Sequence, residues 1–205
     1  IAGGTFLVFL FFHWLFLEAK NYGLWGERFF YKNGIWFFSV VSVLLAAIVW
    51  LALGRNPLLA FGAVIGSTAF FITHPFKQNA AQREKDLSRS DLSDLSKIFY
   101  LEVIDATFSI DGVLGAFAFT LSVPLILLGN GIGALVVRQL TMGNISRIKK
   151  YLYLKNGAMY SILVLGRPML LVGFGACLPR WRSPVATFGV VGFFFYKSKV
   201  ENGNK

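Results

Sequence analysis

Glu102, Asp105 and Asp111 stand within "YLEVIDATFSIDGVLGAFAFT" (100–120), a stretch that is otherwise almost wholly apolar. On membrane-insertion scales an Asp at a helix centre costs about 3 kcal/mol, while each Leu, Ile, Phe or Val returns only about 0.3–0.6 kcal/mol. Three carboxylates therefore cancel the gain from their apolar neighbours and are tolerated only where they face a polar interior. With no Cys or His in the segment, their oxygens suit a hard or borderline divalent cation (Mn2+, Mg2+ or Ca2+) better than Zn2+ or Cu+. Without a cation, burial and mutual repulsion favour proton uptake, so exchange of protons for metal is coherent chemistry. The competing reading is structural: the acids pair with bases in or near the membrane, such as Arg138 and Arg167.

Spacing says how the acids could meet. Glu102 and Asp105 are i,i+3 neighbours on one helical face, whereas Asp111 lies nine residues beyond Glu102. At roughly 100° per residue that places it on the opposite side of a straight helix. "SIDG" offers a break, because Ser109 and Asp111 can bond back to local backbone groups and Gly112 tolerates unusual dihedrals. A helix interrupted near 109–112 is therefore expected, of the kind that lines ion sites in transporters. Gly112 and Ala116 add a small-x-x-x-small contact surface.

The elements that must carry this motif follow from composition. The 205 residues are 56% hydrophobic and 17% aromatic, above the roughly 45–50% apolar content of a soluble domain. Apolar segments fall at 3–17, 35–53, 58–73, 98–122, 125–137, 158–178 and 185–196. The fifth and seventh are short for a full span. The expected fold class is all-α: a polytopic transmembrane bundle of about seven spans, with a broken helix at the acidic motif. It forms a single domain over 1–205, and 75–97 is a cytoplasmic connecting loop. Pro168, after Arg167, is expected to break the sixth segment.

Alternating the spans sorts the basic residues. Lys20, Arg28 and Lys32, five in 77–97, five in 138–155, and Lys197, Lys199 and Lys205 fall on one side; Arg55, Arg180 and Arg182 fall on the other. The positive-inside rule makes the first side cytoplasmic and the protein an integral multi-pass protein of the cell (inner) membrane. This distribution accounts for the net charge of +10 without a nucleic-acid partner, since the bases lie in separate short loops and form no single stripe. The same topology leaves the sequon Asn144-Ile145-Ser146 cytoplasmic and unused. The chain begins inside an apolar run without a basic leader, so it reads as the C-terminal part of a longer protein.

Other motifs have plainer readings. "GNGIGA" (129–134) matches a dinucleotide fingerprint, but Lys149, Lys150 and Lys155 stand where an acid should follow, so close helix packing or a bend is expected. His74 at a membrane edge and His13 on an aromatic face read first as satisfied histidines and second as ligand candidates. Cys177, the single cysteine, reads as a packing residue. No nucleophile stands beside a base, so nothing points to an enzyme or a resident cofactor.

At "LEVIDATFSIDGVLGAFAFT" the sequence resembles the TerC-like integral membrane proteins, in particular the branch known only as a membrane domain of unknown function. The likeness continues through "GNGIGALVVRQLT" and "YLYLKNGAMY", and more loosely through "GGTFLVFLFFHWLF". The resemblance implies membership of the LysE-type transporter group, with seven to nine spans and an internal repeat. TerC-like relatives are associated with manganese efflux and tellurite resistance, and a plant relative with thylakoid membrane-protein assembly. By position, the family's acidic motif puts Glu102, Asp105 and Asp111 on the metal path. Its companion motif, ending in an Asp-Asn pair, is absent here; the family pattern carries His where Met159 stands and lacks "GRPML".

The function expected is therefore an integral membrane transporter, or part of one, for a divalent cation, with manganese efflux foremost. The alternative is a non-transporting TerC-like scaffold in tellurite or stress resistance or membrane-protein assembly. Expected partners are the lipid bilayer, the metal ion as substrate, and either the missing N-terminal half or a second copy of the chain.

Overall fold

The structure is a computed structural model describing residues 1–87, 93, 95, 98, 113, 116, 120–148, 151–177, 179 and 181–203, with side chains in 76–87, 140–148 and 202–203 left aside. It shows seven helices and no strand among the described residues. They are α1 (Ala2–Leu17), α2 (Glu27–Lys32), α3 (Trp36–Leu53), α4 (Pro57–Leu87), α5 (Val123–Ile148), α6 (Leu154–Gly173) and α7 (Arg182–Gly203). The all-α bundle expected from hydropathy is what forms. The acidic segment and its expected break at 109–112 lie outside the described residues, as does Gly112.

α1 is the centre. Its residues are apolar all round and buried nearly all round, the pattern of a helix enclosed by others. α3, α4 and α6 pack around it, and α7 packs on α6. Phe70 of α4 meets Phe6 and Phe9 edge-on at 6.0 and 5.9 Å, contacts that add about 0.5–1.5 kcal/mol each beyond area burial. α4 runs parallel to α1, since Phe70 lies against Phe6 and Phe9 while His74 lies against His13. α6 runs antiparallel, its Gly166 beside Gly4 and its Tyr160 against Phe11 and Trp14.

Local chemistry sets the helix ends. The Asn56 side chain accepts from the Leu58 N–H at 2.9 Å and Pro57 opens α4, a pairing suited to an N-terminus. α6 ends at Gly173, and just beyond it Gly175, with a φ of +81°, lets the Ala176 N–H reach back to the Leu171 carbonyl at 3.0 Å. The sixth apolar segment therefore ends earlier as a helix than hydropathy suggests.

Three expectations change. Pro168 does not break α6, which continues to Gly173. Close packing on α1 holds the helix through it: a Cβ on Gly4 would lie 2.9 Å from Leu170 Cγ and 3.0 Å from the Gly166 carbonyl oxygen. α4 likewise passes Pro75 and continues to Leu87, so the stretch taken as a connector begins as helix. In "GNGIGA", Gly129, Gly131 and Gly133 lie within one continuous helix, and a Cβ on any of them would meet nothing within 4 Å among the described residues. Among the described residues these glycines make no close contact.

Two helical stretches, Trp36–Leu53 and Pro57–Pro75, are long and apolar enough to cross a membrane. Only 22% of the first and 28% of the second is buried, which separates them from the core helices of a water-soluble protein. α5 is also exposed along most of its described length, with Leu127, Ile132, Leu135 and Val137 outward.

Candidate functional site

Glu102, Asp105 and Asp111 lie outside the described residues. What the described structure brings together is a polar cluster at one end of the bundle, where α1 ends, α2 and α6 begin and α7 closes. Its centre is Glu27, which is 1% exposed. Gly26 and the start of α2 place this side chain back toward the preceding loop.

Among the described residues every donor to the Glu27 carboxylate is neutral. The Gly23 N–H donates to Oε2 at 2.7 Å, and the Asn156 amide donates to Oε2 at 3.0 Å and Oε1 at 3.3 Å. Tyr160 lies within electrostatic reach of this carboxylate. Asn156 and Tyr160 are i,i+4 on α6, so one helical face supplies both groups. The amide of Asn156 reaches the Asn21 carbonyl as well, at 2.8 Å, and the Lys197 ammonium donates to the Gly23 carbonyl. Loop 18–26 is thereby tied to α6 and α7. A Cβ on Gly23 would lie 2.9 Å from the Phe194 ring and 3.1 Å from the Asn156 amide, so glycine alone fits.

Charge arranges itself around this pin. Lys20 donates to the Trp14 and Leu15 carbonyls at 3.0 and 2.7 Å, capping the C-terminus of α1, and its ammonium sits 3.9 Å over the Trp14 ring. Burial pushes Lys20 down to about 8, with Glu27 and Glu18 opposing that fall and Lys155 adding to it. Lys155 pairs with Glu18 at 2.5 Å on the surface. Arg55, at the far end, lies over the Phe174 ring at 5.7 Å. Lys20, Lys155 and Lys197 therefore gather at one end and Arg55 at the other.

With three hydrogen bonds on two oxygens, Glu27 serves as a pin for loop 18–26 and offers little to an incoming cation. Buried polar groups satisfied in this way rigidify and fix one arrangement. Sequence reasoning gives Glu27 no weight. The available signal was Asn156 and Tyr160 in "LKNGAMY", an amide and a phenol one turn apart on a helix packed against others.

Over residues 1–205 the chain matches the family described as "Protein of unknown function (DUF475)". It belongs to that family. No curated protein and no solved structure matches it. In this DUF475 chain the described residues hold no group of three or more His, Cys, Asp or Glu side chains that could bind a metal ion. Cys177 is exposed and so is no core packing residue. The two histidines, by contrast, meet: the His13 and His74 ring centroids are 3.6 Å apart.

Proposed function

We propose that this DUF475 chain is a TerC-like integral membrane carrier, or part of one, for a divalent metal cation, with Mn2+ export from the cytoplasm as its task. Glu102, Asp105 and Asp111 supply the ligand oxygens. One observation carries the reading: three carboxylates stand in one apolar segment of a chain whose helices turn apolar side chains outward. Trp50 and Leu51 on α3, Leu58 and Phe61 on α4, and Phe188 and Phe193 on α7 are all exposed. An apolar exterior of this extent suits lipid and not water.

Within that setting each acid must be offset by a cation, a proton or a base. A carrier exploits this need. It binds the cation while the acids are desolvated and releases it when water or protons replace it. The end of the bundle holding Lys20, Lys155 and Lys197 faces the cytoplasm of the cell (inner) membrane under the positive-inside rule.

Titration of the detergent-purified chain with Mn2+, Mg2+, Ca2+ and Zn2+, beside Asp105→Asn and Asp111→Asn, tests the reading. Mn2+ binding that is lost in both variants is expected. Binding unaltered by either substitution would remove the acids from the site and leave the scaffold role in tellurite resistance or membrane-protein assembly as the better account.

A further inference from the structure

We propose that His13 of α1 and His74 of α4 together form one proton-binding site, two imidazoles in contact of which one at a time carries a proton. The chain has only two histidines, 61 positions apart in the sequence, and the fold sets them in ring contact. Their centroids are 3.6 Å apart and their planes are tilted by 49°. His13 is 6% exposed, and its Nδ1 is buried without a hydrogen-bond partner. An unpartnered ring nitrogen of this kind costs free energy unless it is put to use.

The geometry selects the proton over a metal ion. Two imidazoles on one tetrahedral metal, each nitrogen roughly 2.0 Å from it, hold their ring centroids about 5 Å apart. At 3.6 Å the rings lie against one another, without the room between them that a shared ion requires. Two imidazolium charges at that distance repel strongly enough to weaken the second proton about a thousandfold at an effective dielectric near 20. The pair therefore accepts one proton from water onto a ring nitrogen, with no other bond formed or broken.

The surroundings are aromatic. Phe37 meets His13 edge-on at 5.4 Å, and Phe70 stacks on His74 at 5.5 Å with planes 19° apart, presenting a π-face to a cation. Among the described residues the ionisable groups on each packed element are few. α3 has none, and α4 has none between Pro57 and Thr73, with Lys77 next in sequence. Glu18, just past α1, acts on His13 and is itself paired with Lys155 of α6. Lys20 lies on the Trp14 ring, Tyr160 of α6 packs against Phe11 and Trp14, and Glu27 at the start of α2 is held by Gly23 and Asn156. His74 is half-buried, so the proton enters from its side.

If the carrier reading holds, this site gives the carrier a bound proton to exchange for the cation; that link rests on the proposed function, whereas the site itself does not. The test is 15N NMR of the full chain with labelled histidine, in lipid nanodiscs between pH 5 and 8, beside His13→Gln. Wild type is expected to show one imidazolium per chain, with both rings' signals moving at a common midpoint. In His13→Gln the His74 midpoint is expected to shift by about one pH unit or more, the mark of coupled sites. Two imidazolium signals, none, or a His74 midpoint indifferent to His13→Gln would each overturn the site. Should His13→Gln fail to fold, the wild-type proton count alone decides. Loss of the carrier reading in the Mn2+ titration leaves this result standing.

Discussion

The side-chain amide of Asn156 donates to both carboxylate oxygens of Glu27, at 3.0 and 3.3 Å, joining residues 129 positions apart. Both partners are 1% exposed, so neither can turn to water when the other is lost. Asn156→Leu therefore strips a buried carboxylate of two bonds and leaves the Asn21 carbonyl without its amide donor. The expected loss is about 2–4 kcal/mol. Tyr160→Phe leaves these bonds in place and is expected to cost less, about 0.5 kcal/mol. Thermal unfolding in detergent ranks the two; equal small effects would mean that Glu27 is solvated.

Glycines on two helices should behave oppositely. On Gly4 a methyl group would press on backbone, 3.0 Å from the Gly166 oxygen and 3.0 Å from the Leu170 nitrogen, which cannot move without parting α1 from α6. Gly4→Ala is expected to destabilise by about 1–3 kcal/mol. Gly131 of α5 has nothing within 4 Å of the added Cβ. Gly131→Ala is expected to be neutral or to gain up to about 1 kcal/mol through helix propensity. A destabilised Gly131→Ala would show that another surface covers α5.

Lys20 predicts a pH dependence. Its ammonium falls from 10.5 to about 8 on folding, mainly by burial. Between those values the unfolded chain holds a proton that the folded chain has released, so stability rises with pH across that window; below about 8 the cost of the buried charge is present in full. The stability of wild type minus that of Lys20→Met is therefore expected to increase from pH 8 to 10.5. Apparent melting temperatures at half-unit steps measure it, and a flat difference would place the ammonium in water.

Much of this bundle was legible in hydropathy, for a reason visible in α3. The segment 35–53 is uniformly apolar, and the helix is Trp36–Leu53. α5 shows the limit: its last turns, "RQLTMGNISRI", are polar, and hydropathy has no signal for a helix that leaves the apolar zone. Pro168 shows another, because a proline's local penalty can be outweighed by packing that only the fold reveals. The Glu27 pin and the His13–His74 contact were illegible for a third reason. Each joins residues that no local period relates, so only the path of the chain brings them together. The three acids, which lie outside the described residues, stand out in the sequence through the opposite property, a local violation of the apolar pattern.

α3 also carries its own depth gauge. Trp36 and Trp50 are 62% and 77% exposed at opposite ends of the helix. Fourteen positions separate them, about 21 Å at 1.5 Å per residue, so a helix centred in a hydrocarbon core of about 30 Å sets each indole within about 5 Å of a boundary. In a bilayer each indole would therefore lie shallow, one near either surface. Quenching by lipids brominated near the headgroup is expected to exceed quenching by lipids brominated at the chain ends. Subtracting the spectra of Trp36→Phe and Trp50→Phe isolates each contribution. Equal quenching at both depths, or none, would mean that α3 does not cross the membrane, and the carrier reading would lose the setting in which three buried acids require a cation.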